Sequence, residues 1–371
     1  MSPVSLEAML PYMESCFGNP SSLHSAGQKA KEALTEARGE MAALLGCSPK
    51  EIYFTSGGSE ADNQAILSAA ALGARKGKKH ILSTAFEHHA VLHTLEKLKR
   101  EGFQVELLDV HSHGNISAEE VRRAIREDTC LVTVMYANNE IGSVLPIAEI
   151  GEVCREKGVI FHTDAVQAAG HLPIDVGKEH IDMLSLSAHK FHGPKGVGAL
   201  YVRSGIPLVP LIEGGAQERG KRAGTENVPG CSGLGLAVKM VYTDHDAKID
   251  KLYAIKDRMV KGLQAMDGVT VHGLTGRDSA PQIVAAGFEG VRAEVLLHAL
   301  EDKGIYVSSG SACSSNHPGV SGTLKGIGVK DSLLDSTLRF SFGAFNTEEE
   351  VDYCLEVLNE LVPMLRRYRR A

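Results

Sequence analysis

Short apolar runs recur along the chain from residue 51 to residue 202, and small or polar residues follow most of them. Seven such runs, at 51–55, 79–83, 104–108, 130–136, 159–163, 182–187 and 198–202, are the length of strands and are predicted to be buried ones. Between most of them, apolar side chains return every three or four residues, the pattern of helices that bury one face. Residues 24–45 carry that periodicity, 3–12 read as a short helix or an arm, and 17–22 read as a turn-rich loop. Alternation of this kind predicts an α/β fold, with a mainly parallel sheet covered by helices on both faces. Such sheets bind ligands beyond the C-terminal ends of their strands. Thr55, Asp164 and Ser187 all fall at those ends, so polar chemistry is expected to converge on one edge. Residues 208–227 form a glycine-rich, charged connection. After about residue 242 a long polar helix begins, followed by short strands expected at 283–288, 306–308 and 338–342. The predicted organisation is a large domain over 1–242 and a smaller α+β domain over 243–371. Residues 1–16 are expected to form an arm packed with the smaller domain.

Composition narrows the class. A chain of 371 residues is long for a single core and suggests two domains. The net charge of −7 leaves no basic footprint for nucleic acid. No apolar run approaches the roughly 20 residues that span a bilayer, and no basic segment followed by an apolar one opens the chain. The seven cysteines are scattered, with no Cys-x-x-Cys pair. That pattern argues for a reducing cytoplasm and against a disulfide framework or a metal site.

The run before Ser187-Ala-His-Lys190 ends in small and polar residues, and Gly193, Pro194, Gly196 and Gly198 force a tight loop after it. At the mouth of a buried strand, desolvation turns a lysine amine into a nucleophile. Alone, Lys190 also reads as an ordinary surface lysine. Asp164 ends the run 159–163 and can hold a cation there; alone, it also reads as a helix cap. Gln167, three residues on, reaches the same ligand if a helical turn follows. An acid and a lysine at the ends of neighbouring parallel strands suit pyridoxal phosphate. The lysine forms a Schiff base, and the acid keeps the ring nitrogen protonated so that the ring can act as an electron sink. Thr55-Ser-Gly-Gly-Ser59-Glu-Ala-Asp-Asn63 follows a strand and opens a helix, a place where backbone N–H groups close round an anion. It also suits a plain strand–helix turn. No Gly-Lys-Ser or Gly-Lys-Thr follows, so it is not a Walker loop.

Four further stretches carry chemistry. Glu87-His88-His89-Ala90 and Asn138-Asn139-Glu140-Ile-Gly142 each follow a buried run, and both also suit turns or structural roles. Gly220 to Asn227 is a polar loop. Cys313, in Val307-Ser-Ser-Gly-Ser-Ala-Cys313, has no apolar neighbours to pack with and is predicted to be exposed. Free cysteines are more often buried and inert, as the other six read. Arg339 lies in an alternating strand pattern, where it needs a partner; a carboxylate held by two parallel hydrogen bonds is the natural one.

These motifs occur together and in order, from Phe17-Gly-Asn-Pro-Ser-Ser-Leu-His24 to Arg339-Phe-Ser-Phe-Gly343. The chain resembles the cysteine desulfurases, pyridoxal-phosphate enzymes of fold type I in the class V aminotransferase-like group. That resemblance implies a large domain with a seven-stranded sheet and a smaller C-terminal domain. It places the cofactor on Lys190, with Asp164 at the ring nitrogen. It places the phosphate on Gly58 and Ser59, where the family often has threonine at the Ser59 position, with further contacts from Ser187 and His189. It sets His88 on the ring as a proton carrier; the choice of His88 over His89 rests on the resemblance. Asn139 and Gln167 approach the ring's phenolic oxygen, and Asn139 also the substrate carboxylate that Arg339 binds. Thr225 completes the phosphate site of a second protomer, which implies a homodimer. Cys313 becomes the persulfide-bearing cysteine, in the longer type of loop that serves iron–sulfur assembly and related sulfur delivery. Two departures stand out. Asn316-His317-Pro318 is not the usual continuation, and family members usually start with an Asp-Asn-Ala-Ala-Thr-Thr-like strand that would precede Met1.

The expected protein is therefore a homodimeric, cytoplasmic L-cysteine desulfurase. It makes L-alanine and a persulfide on Cys313 for a sulfur-acceptor or iron–sulfur scaffold protein. Neither nucleic acid nor membrane is expected as a partner. A selenocysteine lyase can use the same residues, and a small-amino-acid aminotransferase does not need Cys313. An inactive homologue serving as a scaffold would need none of them.

Overall fold

The structure is a computed structural model, described here over residues 1–310 and 321–367. Cys313 and the residues around it lie outside the described residues. The chain forms two compact units. The first comprises residues 1–108, 117–136 and 146–245; the second comprises 109–116, 137–145 and 246–371. The division expected at residue 242 lies close to the later crossing, but two earlier excursions, 109–116 and 137–145, also cluster with the second unit.

The first unit is built on a seven-stranded sheet. Its strands are β1 (Ile52–Thr55), β2 (His80–Thr84), β3 (Gln104–Leu108), β4 (Thr129–Thr133), β5 (Ile160–Asp164), β6 (Met183–Ser187) and β7 (Gly198–Val202). The spatial order is β1-β7-β6-β5-β4-β2-β3. Only β7 runs against its neighbours, pairing antiparallel with both β1 and β6. The C-terminal ends of β1, β5 and β6 therefore share an edge, as the strand ends at Thr55, Asp164 and Ser187 require. Strands β2, β4, β6 and β7 are buried at every position, so they read as near-continuous apolar runs. The predicted run 130–136 is shorter as a strand. The regular strand stops at Thr133, although the amides of Val134 and Tyr136 still donate to the carbonyls of His162 and Asp164 at 3.1 and 2.9 Å before the excursion at 137–145.

The helices of this unit are α1 (Pro3–Glu14), α2 (Ser25–Leu45), α3 (Gly58–Ala74), α4 (His89–Arg100), α5 (Ala118–Ala124), α6 (Ile147–Lys157), the single turn α7 (Gln217–Gly220) and α8 (Val228–Tyr242). Residues 1–16, expected as an arm packed with the smaller domain, cluster with the first unit. Helix α1 lies along α8, where the Ser232 hydroxyl donates to the Ala8 carbonyl at 3.2 Å. The Ser2 amide donates to the His192 carbonyl at 2.8 Å. Gly233 makes the close approach possible, since a Cβ there would meet the Met9 side chain at 2.9 Å.

The second unit holds a four-stranded sheet in the order β10-β11-β9-β8, antiparallel throughout. Its strands are β8 (Val269–His272), β9 (Ile283–Phe288), β10 (Ser308–Ser309) and β11 (Thr337–Ser341). Helices α9 (His245–Gln264), α10 (Ala293–Glu301), α11 (Gly322–Gly326), α12 (Asp331–Leu334) and α13 (Glu348–Arg366) accompany it. An apolar cluster including Leu263, Phe288, Leu296, Leu338 and Leu358 forms its core. Strand β8 was not predicted; Val269-Thr-Val-His272 is only four residues long and follows a helix with little punctuation.

Candidate active site

The common edge of β1, β5 and β6 collects most of the residues singled out from sequence. Helix α3 opens directly after β1. Gly57, its N-cap, has φ 153°, which a side chain would resist, and no side chain caps the helix. Gly58 is packed so closely that a Cβ would lie 2.5 Å from Val166 Cγ2. The first N–H groups of α3 thus have no side-chain cap, the arrangement that receives an anion. Ser59 lies exposed in this first turn. Behind Gly57, Ser187 ends β6, and its hydroxyl lies 2.9 Å from His189 Nδ1. Burial, then Lys190 and Lys195, lowers the pKa of His189 and favours its neutral form. Lys190 follows in a 3₁₀ turn (Ala188–Phe191) and is exposed at the same edge.

Asp164 ends β5 and is 5% exposed. Its Oδ1 accepts from the Val166 amide at 2.9 Å. Burial pushes its carboxyl above the usual range, while His88, the Val166 hydrogen bond and Lys190 pull it back. His88 and Lys190 are thus the side chains whose electrostatics favour the charged form of Asp164. His88 caps α4, with Nδ1 accepting from the Ala90 amide at 3.1 Å. Its neighbour His89 instead stacks on His93, with ring centroids 5.2 Å apart. Gln167 is half-buried in the turn after β5, where the Ala165 carbonyl accepts from the amides of Ala168 and Ala169.

Thr225 lies exposed in the loop after α7. Arg222 ties that loop to the first turn of α3, its Nε donating to Glu60 Oε1 at 2.9 Å. Against the upward push of burial, Arg222 and Ser56 hold Glu60 below the usual carboxylate range. Within this single chain, Thr225 shares a cavity of about 70 Å³ with Thr55, Ser56, Gly196 and Arg222.

Two other residues belong to the second unit. Arg339, half-buried on β11, donates from Nη1 to the Asn139 carbonyl at 2.9 Å and lies 3.4 Å from the Ser308 hydroxyl. Asn139 sits in a turn held by Asn138, whose Oδ1 accepts from the amides of Glu140 and Ile141. Glu140 in turn accepts from Ser321 at 2.5 Å.

Cysteine chemistry can be narrowed by elimination among the described residues. Burial pushes the thiols of Cys47 and Cys354 up to about 12 and that of Cys130 up to about 11. It also raises those of Cys154 and Cys231. None of these five is a ready thiolate. Among the described residues no group of His, Cys, Asp and Glu is placed to hold a metal. No described helix is long and apolar enough to cross a membrane.

Sequence reasoning passed over Asp62 and His162. Both are buried and both stand close behind Asp164 in the first unit. A signal was present. Asp62 interrupts the apolar stripe of α3 between Ala61 and Ala65, and His162 stands two residues before Asp164 in a strand, hence on the same face.

A fold of this kind with an anion cradle, a buried acid and a lysine at one sheet edge defines a pyridoxal-phosphate enzyme of fold type I. The chain belongs to the aminotransferase class-V family, whose model matches residues 2–354. It is 48% identical over 361 residues to a cysteine desulfurase IscS of Methanosarcina thermophila, covering 97% of this chain and 89% of the relative. It is 46% identical to a putative cysteine desulfurase IscS 1 of Bacillus subtilis, covering 97% of this chain and 95% of the relative. Among solved structures, a NifS-like protein superposes with a TM-score of 0.91 at 36% identity, covering 98% of this chain and 97% of that one. SspA in complex with cysteine does so with a TM-score of 0.81 at 36% identity, covering 94% and 97%.

Proposed function

We propose that this chain is an L-cysteine desulfurase that stores the abstracted sulfur as a persulfide on Cys313. The observation that carries this reading is Asp164, a buried carboxylate acted on by Lys190 and His88 at the edge where α3 opens its uncapped N-terminus. Those residues fit pyridoxal phosphate. The first turn of α3, with Gly58 and Ser59, suits the dianionic phosphate, supported by Ser187 and His189. Lys190 supplies the amine, Asp164 the acid for the ring nitrogen, and His88 the flanking ring. Gln167 and Asn139 serve the phenolic oxygen. Bound there, the cofactor supplies an electron sink for charge that develops on the substrate Cα.

The chain's own residues supply the rest. Arg339 binds the α-carboxylate of cysteine with its planar guanidinium. Lys190 takes the Cα proton as general base. The Cys313 thiolate forms an S–S bond to the substrate sulfur as the substrate's Cβ–S bond breaks. The carbon skeleton regains protons and leaves as alanine. The enzyme keeps Cys–S–SH, so one thiol and one cysteine become one persulfide and one alanine. The persulfide then passes to a sulfur-acceptor or iron–sulfur scaffold protein in the cytoplasm. Thr225 completes the phosphate site of a second protomer, making a homodimer the active form. A fully active monomer in sedimentation analysis would overturn that last assignment.

The test uses the cofactor-loaded enzyme and Cys313→Ser, which keeps the size and loses the soft nucleophile. The variant should still change its visible spectrum on adding cysteine but release almost no alanine and carry no persulfide. Near-normal alanine release would move the nucleophile elsewhere.

A further inference from the structure

Behind Asp164 lies a second acid that this mechanism does not use. Helix α3 carries Asp62 one turn beyond the anion cradle, and Asp62 is 1% exposed. Strand β5 carries His162 and Asp164 two residues apart, on one face of the sheet. Strand β6 pairs Ser185 with Asp164 in register. A polar seam crosses the sheet here. His162 Nδ1 lies 2.8 Å from Thr133 Oγ1, and His162 Nε2 lies 3.0 Å from Ser185 Oγ and 3.7 Å from Asp62 Oδ1. His162, Thr133 and Ser185 are fully buried.

Two carboxylates this deeply buried cannot both be charged, because each raises the cost of ionising the other. Their surroundings decide which one yields. Asp164 has Lys190, His88 and the Val166 amide to favour its charged form. Asp62 has only the Ser185 hydroxyl to favour its own, against Asp164 and Glu87. Its Oδ1 has no hydrogen-bond partner. His162 offers no compensating cation, since burial pushes its imidazole down to about 3. Glu87, the third acid in reach, is itself pushed up to about 8 by burial.

We propose that Asp62 is a positioning residue for Asp164: buried against Ser185 and beside a neutral His162, it stays an un-ionised carboxylic acid, so that Asp164 carries the single negative charge of the pair. Helix α3 then has two tasks one turn apart, presenting N–H groups to an anion and burying a neutral acid behind the charged one. The role assigned to Asp164's charge rests on the cofactor reading above. The protonation of the pair does not.

The first test reads the wild-type holoenzyme by infrared difference spectroscopy with ¹³C-labelled aspartate. Asp62 and Asp164 are the described aspartates whose pKa values stand raised, so one labelled, un-ionised carboxyl C=O band is expected near neutral pH. Its absence overturns the proposal and requires no variant to fold. The second test compares Asp62→Asn with Asp164→Asn. Asp62→Asn should lose the band while leaving the ¹⁵N signal of a labelled cofactor ring nitrogen in its protonated position. Asp164→Asn should shift that nitrogen signal. If Asp62→Asn keeps the band, or moves the ring nitrogen as far as Asp164→Asn does, the assignment is reversed. Failure of the wild-type protein to bind pyridoxal phosphate would sink the cofactor reading while the infrared result still stands for the carboxylate pair.

Discussion

The two ends of the large sheet make opposite use of charge. At the N-terminal ends of β4, β5 and β6 lies an open cleft of about 630 Å³, with Lys76, Lys78, Arg155 and Arg203 along its lining. Its acid, Asp182, meets Arg203 at 2.6 Å and also accepts from the Phe161 amide. Nearby, His180 meets Glu152 at 2.6 Å. These pairs reach solvent and are screened. At the C-terminal ends the cavity beside Thr225 is far smaller, yet there Asp62, Glu87 and Asp164 are all buried, with pKa values raised. The larger of these two spaces is at the end away from the proposed site. Buried acids that are costly to ionise mark the proposed working end better than volume does, because a fold retains such a cost only where something else requires it.

That contrast breaks most sharply at Lys190. Lys190→Ala should lower alanine formation on the order of 10³-fold or more, since nucleophile and general base leave together. Borohydride reduction and peptide mapping of the wild-type protein should place the cofactor adduct on Lys190. An adduct on Lys195 instead would relocate the working end.

A smaller effect concerns stability. The carboxyl of Glu87 rises from 4.5 to about 8 on folding, so the folded chain keeps a proton that the unfolded chain has released. This side chain's contribution is complete below the unfolded value and is lost as pH rises through about 8. Glu87→Gln cannot ionise, and its amide oxygen can still accept from Thr84 and Met135 as Glu87 Oε1 does. The difference in unfolding free energy between variant and wild type should therefore move in the variant's favour by roughly 2–4 kcal/mol between about pH 5 and about pH 8. His162 acts on the acid side. Its folded value of about 3 lies below the ordinary 6.5, so stability is lost as pH falls through that window. Urea midpoints across pH for wild type and Glu87→Gln check both slopes. Parallel curves would show that Glu87 ionises normally.

The smallest effect should come from the far end. Arg203→Ala removes a pair whose arginine is more than half exposed, so it should cost about 0.2–1 kcal/mol and leave alanine formation unchanged. A large loss of activity would give the N-terminal cleft a role that the comparison denies it.

Much of the working end was legible in the chain itself. Asp164, Ser187 and the glycines at 57 and 58 each follow a short apolar run, and such a run can only be a strand that must end where polarity returns. Strand order was not legible. The antiparallel pairing of β7 with β6 is local, but nothing local says that β7 also pairs with β1, because that pairing joins residues more than a hundred positions apart. The packing of α1 on α8 was not legible for the same reason: an apolar face announces burial but not its partner.

By itself, then, the sequence determined where strands end, which residue types stand at those ends, and the family to which they belong. Tertiary structure alone decided that Asp62, an acid in a helix, and His162, a histidine in a strand, lie 3.7 Å apart, both buried. The physical reason is that charge state depends on desolvation and on neighbours. Both are set by which face of α3 meets which face of the sheet, and no local pattern of hydrophobic and polar positions records that.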